Sequence, residues 1–178
     1  MIYTQLLVEI KPILFNLKQN NMLDIFYKAK VLVIQNADKK AIKFNLDDKK
    51  VFLDEYDVTS AWEYEKSWIL LEVKLYKENL YYNFLIDGKH LVIITEDNFE
   101  MKEEILDFFW DVDILIIAWT KEATKIFENI EAKIVVPYGE AKDIFLQTLG
   151  QHTEEVETYK QKWEMPFDVT EYVNLKLA

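Results

Sequence analysis

Leu91-Val92-Ile93-Ile94-Thr95, Asp113-Ile114-Leu115-Ile116-Ile117-Ala118 and Lys133-Ile134-Val135-Val136 decide the fold. Each is a short aliphatic run rich in β-branched residues, the pattern of a strand buried on both faces. Between them the spacing turns helical. Phe99 to Trp110 carries Met101, Ile105, Leu106 and Phe109 on one face, with Asn98 placed to cap it. Lys121–Ile130 is expected to form the next helix and Glu140–Leu149 the third, closed by Gly150 just past its end. Strands alternating with helices imply right-handed crossovers, and so three neighbouring strands in a locally parallel sheet. Downstream, His152–Trp163 reads as helix, with Glu154, Glu155 and Glu157 early and Lys160 and Lys162 late. Thr170–Leu177 alternates and reads as a last edge strand.

Upstream of residue 90 the pattern is β-rich. Val31–Gln35 and the alternating Ala41–Leu46 flank Asn36-Ala37-Asp38-Lys39-Lys40, which has hairpin chemistry, and a second turn at Asp47–Lys50 leads into Val51–Leu53. Trp68–Tyr76 and Leu80–Ile86 are joined by Lys77-Glu78-Asn79, and Asp87-Gly88 turns into His90–Thr95. The expectation is a mixed α/β (α+β) domain spanning 1–178. In it an antiparallel β-meander (1–89) and a βαβαβα half (90–178) share one core.

Composition excludes much. The 178 residues include 3 Gly, 3 Pro and no Cys, which removes collagen-like and linker-like readings, disulfide frameworks, thiolate metal sites and cysteine nucleophiles. With 51% hydrophobic residues, and 5 Trp, 10 Tyr and 11 Phe, the chain is too apolar for a disordered segment. The net charge is −11, and all 21 basic residues are lysine. A negative surface without arginine forks repels polyphosphate, so no nucleic-acid partner is expected. No apolar run approaches the roughly 20 residues of a spanning helix. Met1–Leu17 is interrupted by Glu9, Lys11 and Pro12 and has no basic leader, so a cytoplasmic protein away from membranes is expected.

Familiar catalytic signatures are missing: no G-x-G-x-x-G, no Walker A loop and no G-x-S-x-G. His90 and His152 are the two histidines, which rules out a three-histidine site from one chain. Candidates therefore come from position, because ligands in open α/β sheets bind beyond the carboxyl ends of parallel strands. Those ends carry Thr95-Glu96-Asp97-Asn98, Trp119-Thr120 and Pro137-Tyr138-Gly139. Glu96 and Asp97 read either as metal ligands or an acid/base pair, or as part of a helix cap together with Asn98. Tyr138 reads either as a pocket wall or as part of a helix-entry turn. His90 reads as an ordinary hydrogen-bonded residue, and His152 with its glutamates as a solvated helix start. Trp110 and Trp119 sit in apolar runs and are expected in the core; Trp62, Trp68 and Trp163 have charged neighbours and are expected partly exposed.

The block Tyr82-Asn83-Phe84-Leu85-Ile86-Asp87-Gly88-Lys89-His90-Leu91-Val92-Ile93-Ile94-Thr95-Glu96-Asp97 resembles a strand–turn–strand unit of the metallo-β-lactamase superfamily, in its small hydrolase-like, lactonase-like branch. Asp111–Ile117 is similar to that family's "dvDll" strand, and Ala132–Gly139 to its "viP-x-Hyg" segment. Lys49–Asp54 stands where the family often has an "iliDP" strand. The resemblance implies a trimmed metallo-β-lactamase-like sandwich and a bridging aspartate at Asp97. It also implies a H-x-H-x-D-H loop after Asp54 and a metal histidine near Tyr138. Neither is present: Glu55–Lys66 contains no histidine, and position 138 is tyrosine. The resulting expectation is a non-catalytic relative without a metal cofactor, acting as a binding or assembly module that self-associates or takes a protein partner. The alternative is a hydrolase with an oxygen-ligand Mg²⁺ or Mn²⁺ site from Glu96, Asp97 and one of Asp54, Asp57 or His90.

Overall fold

The computed structural model describes residues 23–96, 100–118, 120–139, 141–161, 165–166 and 168–177. The chain is strand-rich with short helices. Its first strands are β1 (Asp24–Lys28), β2 (Val31–Gln35), β3 (Ala41–Asn45), β4 (Val51–Leu53) and β5 (Tyr56–Asp57), a continuous antiparallel ladder. Asn36 closes the β2–β3 hairpin by accepting the Lys40 N–H on its side-chain oxygen at 2.9 Å, with Lys39 in the left-handed region at φ 63°.

The chain then crosses to a second sheet through β6 (Glu63–Lys66), β7 (Ile69–Tyr76), β8 (Asn79–Ile86) and β9 (Lys89–Ile94), again antiparallel. From β9 onward it alternates: α1 (Glu103–Phe108), β10 (Ile114–Ala118), α2 (Lys121–Phe127), β11 (Ile134–Tyr138) and α3 (Lys142–Thr148). Strands β9, β10 and β11 are parallel neighbours in register, Leu91 beside Ile114 and Ile114 beside Ile134. The remaining strands are β12 (Glu155–Val156), β13 (Thr158–Lys160), β14 (Glu171–Tyr172) and β15 (Asn174–Leu175). One sheet runs β13-β1-β2-β3-β4-β5, a second β14-β11-β10-β9-β8-β7-β6, and β12 pairs with β15 in a small two-stranded parallel sheet.

Side-chain alternation builds the layers. On β9–β11, Leu91, Ile93, Ile114, Ile116, Ile134 and Val136 face the first sheet and join Leu32, Ile34, Ile42, Phe44 and Leu53 in the inter-sheet core. Their neighbours Val92, Ile94, Leu115, Ile117 and Val135 face outward and pack with Ile105, Ala123, Ile126 and Phe145 from the helices. Burial on both faces is why these strands read as unbroken apolar runs.

Four expectations change. The meander does not stay in one half: β1–β5 form one sheet and β6–β9 the other, so the division near residue 90 is not a boundary in space. His152–Trp163 is not helical where described. Residues 158–160 form β13 on the outer edge of β1, Asp24 opposite Lys160 and Phe26 opposite Thr158, because an open sheet edge outweighs a weak local helix pattern. Helix α1 starts at Glu103 with Lys102 at its cap and no side-chain cap bond, later than the start at Phe99 that the sequence pattern suggests. Trp110, expected in the core, is 61% exposed: α1 ends at Phe108 and leaves it on the rim. Trp62 and Trp68 are exposed, as expected. Trp119, Trp163, Asp97 and Asn98 lie outside the described residues.

Candidate functional site at the strand-end edge

The carboxyl ends of β9, β10 and β11 open toward the β3–β4 turn. Tyr138, the last residue of β11, is 2% exposed and points into the inter-sheet core. Its hydroxyl donates toward the carbonyls of both Ile94 and Thr95, each at 2.9 Å, at the end of β9. Its ring meets Phe44 of β3 edge-on, with centroids 5.1 Å apart, and the Lys49 ammonium lies 5.3 Å from the Tyr138 centroid and 6.0 Å from that of Phe44. A tyrosine anchored to the neighbouring strand and roofed by a lysine closes this stretch of the edge.

Around it the acids meet lysines. Asp47 pairs with Lys30 at 2.9 Å, and Lys50 reaches Asp57 at 3.6 Å and Asp48 at 3.9 Å. One Asp57 oxygen is buried without a hydrogen-bond partner. Burial, and then the Asp57 charge, push the Tyr82 hydroxyl up to about 12. Glu96 is half-buried, one residue beyond the Thr95 carbonyl. Thr120 accepts the Ala123 N–H at 3.1 Å and so caps the first turn of α2.

The other candidates lie elsewhere. His90 is near the start of β9, about 16 Å from Thr95 at the usual rise per residue. Its N–H donates to Asp113 at 2.9 Å and its ring packs on Trp110. Asp54 sits at the far end of β4, where it accepts the Ala41 N–H at 2.9 Å and the Ser67 hydroxyl at 3.1 Å, in a left-handed turn with φ 54°. Ser67 lies beside the start of β7, at the end of the sandwich remote from Tyr138. Neither Asp54 nor His90 is brought to Glu96. The strand of the first sheet that ends at the Tyr138 edge is β3, continuing as Asn45-Leu46-Asp47-Asp48, rather than β4 ending at Asp54. The Lys49–Asp54 segment therefore ends away from Tyr138, a placement that Phe44 packing on Tyr138 reveals and the sequence does not. His152 lies in an irregular segment after α3.

Catalytic zinc is held by about three protein ligands, typically imidazoles and carboxylates where no thiolate is on hand, around an open position for water. The donors here do not fit it: residues 46–66 contain no histidine, and position 138 offers a hydroxyl already committed to two carbonyls. Among the described residues, no group of three His, Cys, Asp or Glu side chains is arranged to hold a metal ion.

No family model matches the chain. No curated protein matches it either. Among solved structures it is similar to the crystal structure of a Thermotoga maritima protein of the metallo-β-lactamase superfamily, described as a candidate Zn-dependent hydrolase. The TM-score is 0.64 at 14% identity, covering 86% of this chain and 98% of that one. The likeness establishes a metallo-β-lactamase-like fold, which by itself leaves activity open.

Proposed function

We propose that this protein is a non-catalytic relative of the metallo-β-lactamase-like hydrolases, working as a binding or assembly module without a metal cofactor. The observation that carries the reading is Tyr138. It ends the strand at whose tip the resemblance implies a metal histidine, and it fills that place with a ring in the core and a hydroxyl tied to β9. The histidine-free stretch after β3 and the lysine partners of Asp47 and Asp57 favour the same conclusion. A protein partner or a second copy suits the exposed indoles of Trp62 and Trp68, 73% and 84% exposed near the β6 edge, since aromatic side chains are enriched at interface centres. A charge of −11 without arginine argues against nucleic acid, and no described helix is long and apolar enough to cross a membrane. A cytoplasmic location is part of the same proposal.

The test is turnover. Purified protein, supplied in turn with zinc and manganese, is assayed on a lactone, a phosphodiester and a β-lactam. No rate above buffer is expected. Saturable turnover that scales with protein and disappears in Asp97→Ala would overturn the reading in favour of a carboxylate-based hydrolase.

A further inference from the structure

Strand β7 spans 8 residues, but β6, the last strand of its sheet, covers only the first half, from Lys66 beside Ile69 to Glu63 beside Glu72. One more bond, from the Val73 N–H to the Trp62 carbonyl at 2.9 Å, ends the ladder. Main-chain groups alternate sides along an antiparallel strand, so the N–H and C=O of Leu75 turn to the same side as those of Val73. Among the described residues no strand lies opposite them there. Beside this open half of β7 runs a groove of about 690 Å³, lined by Glu72, Val73, Lys74 and Leu75 in succession. Successive side chains point to opposite faces, so this space lies in the plane of the sheet, where a further strand would run.

The groove's surroundings define its occupant by charge. Glu63 and Glu72 also line it, directly opposite each other on the outer face. Because Trp62 and Val73 are the hydrogen-bonded pair, Glu63 and Glu72 form a non-hydrogen-bonded one, in which side chains stand closest. Both are exposed, and among the described residues neither is in an ion pair. Like charges so placed destabilise a sheet. Lys74 is drawn off toward α1, where its ammonium donates to the Glu104 carbonyl at 3.0 Å and lies 5.9 Å from the Phe108 ring centroid. On the inner side Trp62 and Leu75 are 73% and 56% exposed and offer apolar surface. A cation wanted on one face and an apolar group on the other match the alternation of an extended chain. The same carboxylates set this edge against a second copy of a chain whose net charge is −11.

We propose that the open half of β7 takes up an extended segment of a partner protein by strand addition, a segment that alternates basic and apolar residues. Its main chain exchanges hydrogen bonds with Leu75, its basic side chains reach Glu63 and Glu72, and its apolar ones cover Trp62 and Leu75. This names the partner for the binding-module reading and rests on it. Turnover and peptide binding are separate measurements: a failed peptide leaves the non-catalytic reading standing, and turnover overturns that reading whatever the peptide does.

The experiment is an NMR titration of the whole chain with three capped peptides: Lys-Val-Lys-Val-Lys, the same peptide N-methylated at both valines, and Glu-Val-Glu-Val-Glu. The basic peptide should shift the Leu75 amide and Trp62 indole resonances saturably and slow hydrogen exchange at the Leu75 amide. The methylated peptide, which lacks the strand donors, should bind at least about fivefold more weakly, the loss expected for one hydrogen bond. The acidic peptide should leave both resonances unmoved. In Glu72→Gln, an exposed substitution, the basic peptide should bind about threefold more weakly at low salt, the scale of one exposed ion pair. The proposal is overturned by an unsaturable response to the basic peptide, by equal affinity for the methylated or the acidic one, or by unchanged binding in the variant. It is equally overturned by a Leu75 amide already protected from exchange in the free protein, which would mean that another part of the chain or a second copy fills the groove.

Discussion

Removing the Tyr138 hydroxyl strips a donor from the Ile94 and Thr95 carbonyls at the most buried point of the edge. Tyr138→Phe should cost about 1–3 kcal/mol in urea unfolding, the range for a buried polar group that loses its partner. A loss under about 0.5 kcal/mol would mean those carbonyls are satisfied without it. Asp87 behaves oppositely. Burial raises its carboxyl above the usual range, more than the nearby Lys89 and a hydrogen bond with Asn36 lower it, and one of its oxygens has no partner. A raised carboxylate pKa means the charge destabilises the folded state: stability rises as pH falls through the native value toward the unfolded one. Asp87→Asn should therefore be more stable than wild type at neutral pH, with the gain fading as pH drops through the carboxylate range. Urea midpoints at pH 7 and pH 3.5 read the difference, and an equal or larger gain at the lower pH would contradict it. Of these residue-level features the sequence exposes only identity and position. It places Tyr138 at a strand end, but whether the ring lines a pocket or fills one depends on Phe44 and Ile94, which are 94 and 44 residues away along the chain.

Among the elements, those legible in the sequence are those whose signal is local. Strand β10 lies between β9 and β11 with Ile116 fully buried, and an aliphatic run this dense is what burial on both faces demands. Ile116→Ala should cost about 2–5 kcal/mol through the cavity it opens, and a loss below about 1 kcal/mol would mean the strand is not central. The end of α3 is equally readable. Gly150 has φ 67°, its N–H bonds to the Gln147 carbonyl at 3.0 Å, and the Gln151 N–H bonds to that of Leu146 at 2.8 Å, a Schellman closure. Gly150→Ala should cost about 1–2 kcal/mol for a side chain forced into the left-handed region, measurable by thermal melting. Strand β13 is not legible. Its partner β1 is more than a hundred residues upstream, and the acid-to-lysine gradient that suggests a helix also places Lys160 within 3.7 Å of Asp24 across the strand pair. The helices are shorter than their patterns for a related reason: apolar spacing marks the face that packs on the sheet, not how many flanking residues continue the helix.

For the whole molecule, the sequence reveals an α/β chain with a parallel segment but not the partition of its front half between two sheets. Antiparallel hairpins look alike whether they extend one sheet or start another, and the crossover after β5 carries no glycine or proline to announce it. The outer aromatic surface yields a prediction at this scale. Trp68→Ala removes an 84% exposed indole, so it should leave the unfolding midpoint nearly unchanged while shifting any dimer seen by light scattering toward monomer. A wild-type protein that stays strictly monomeric at high concentration would remove self-association and leave a different protein as partner. The closed strand-end edge is tested most directly by elemental mass spectrometry of protein purified without chelator, alongside Asp97→Ala. Well under one zinc or manganese per chain is the predicted result, the same in both proteins; stoichiometric metal in the wild type that vanishes in the variant would contradict it.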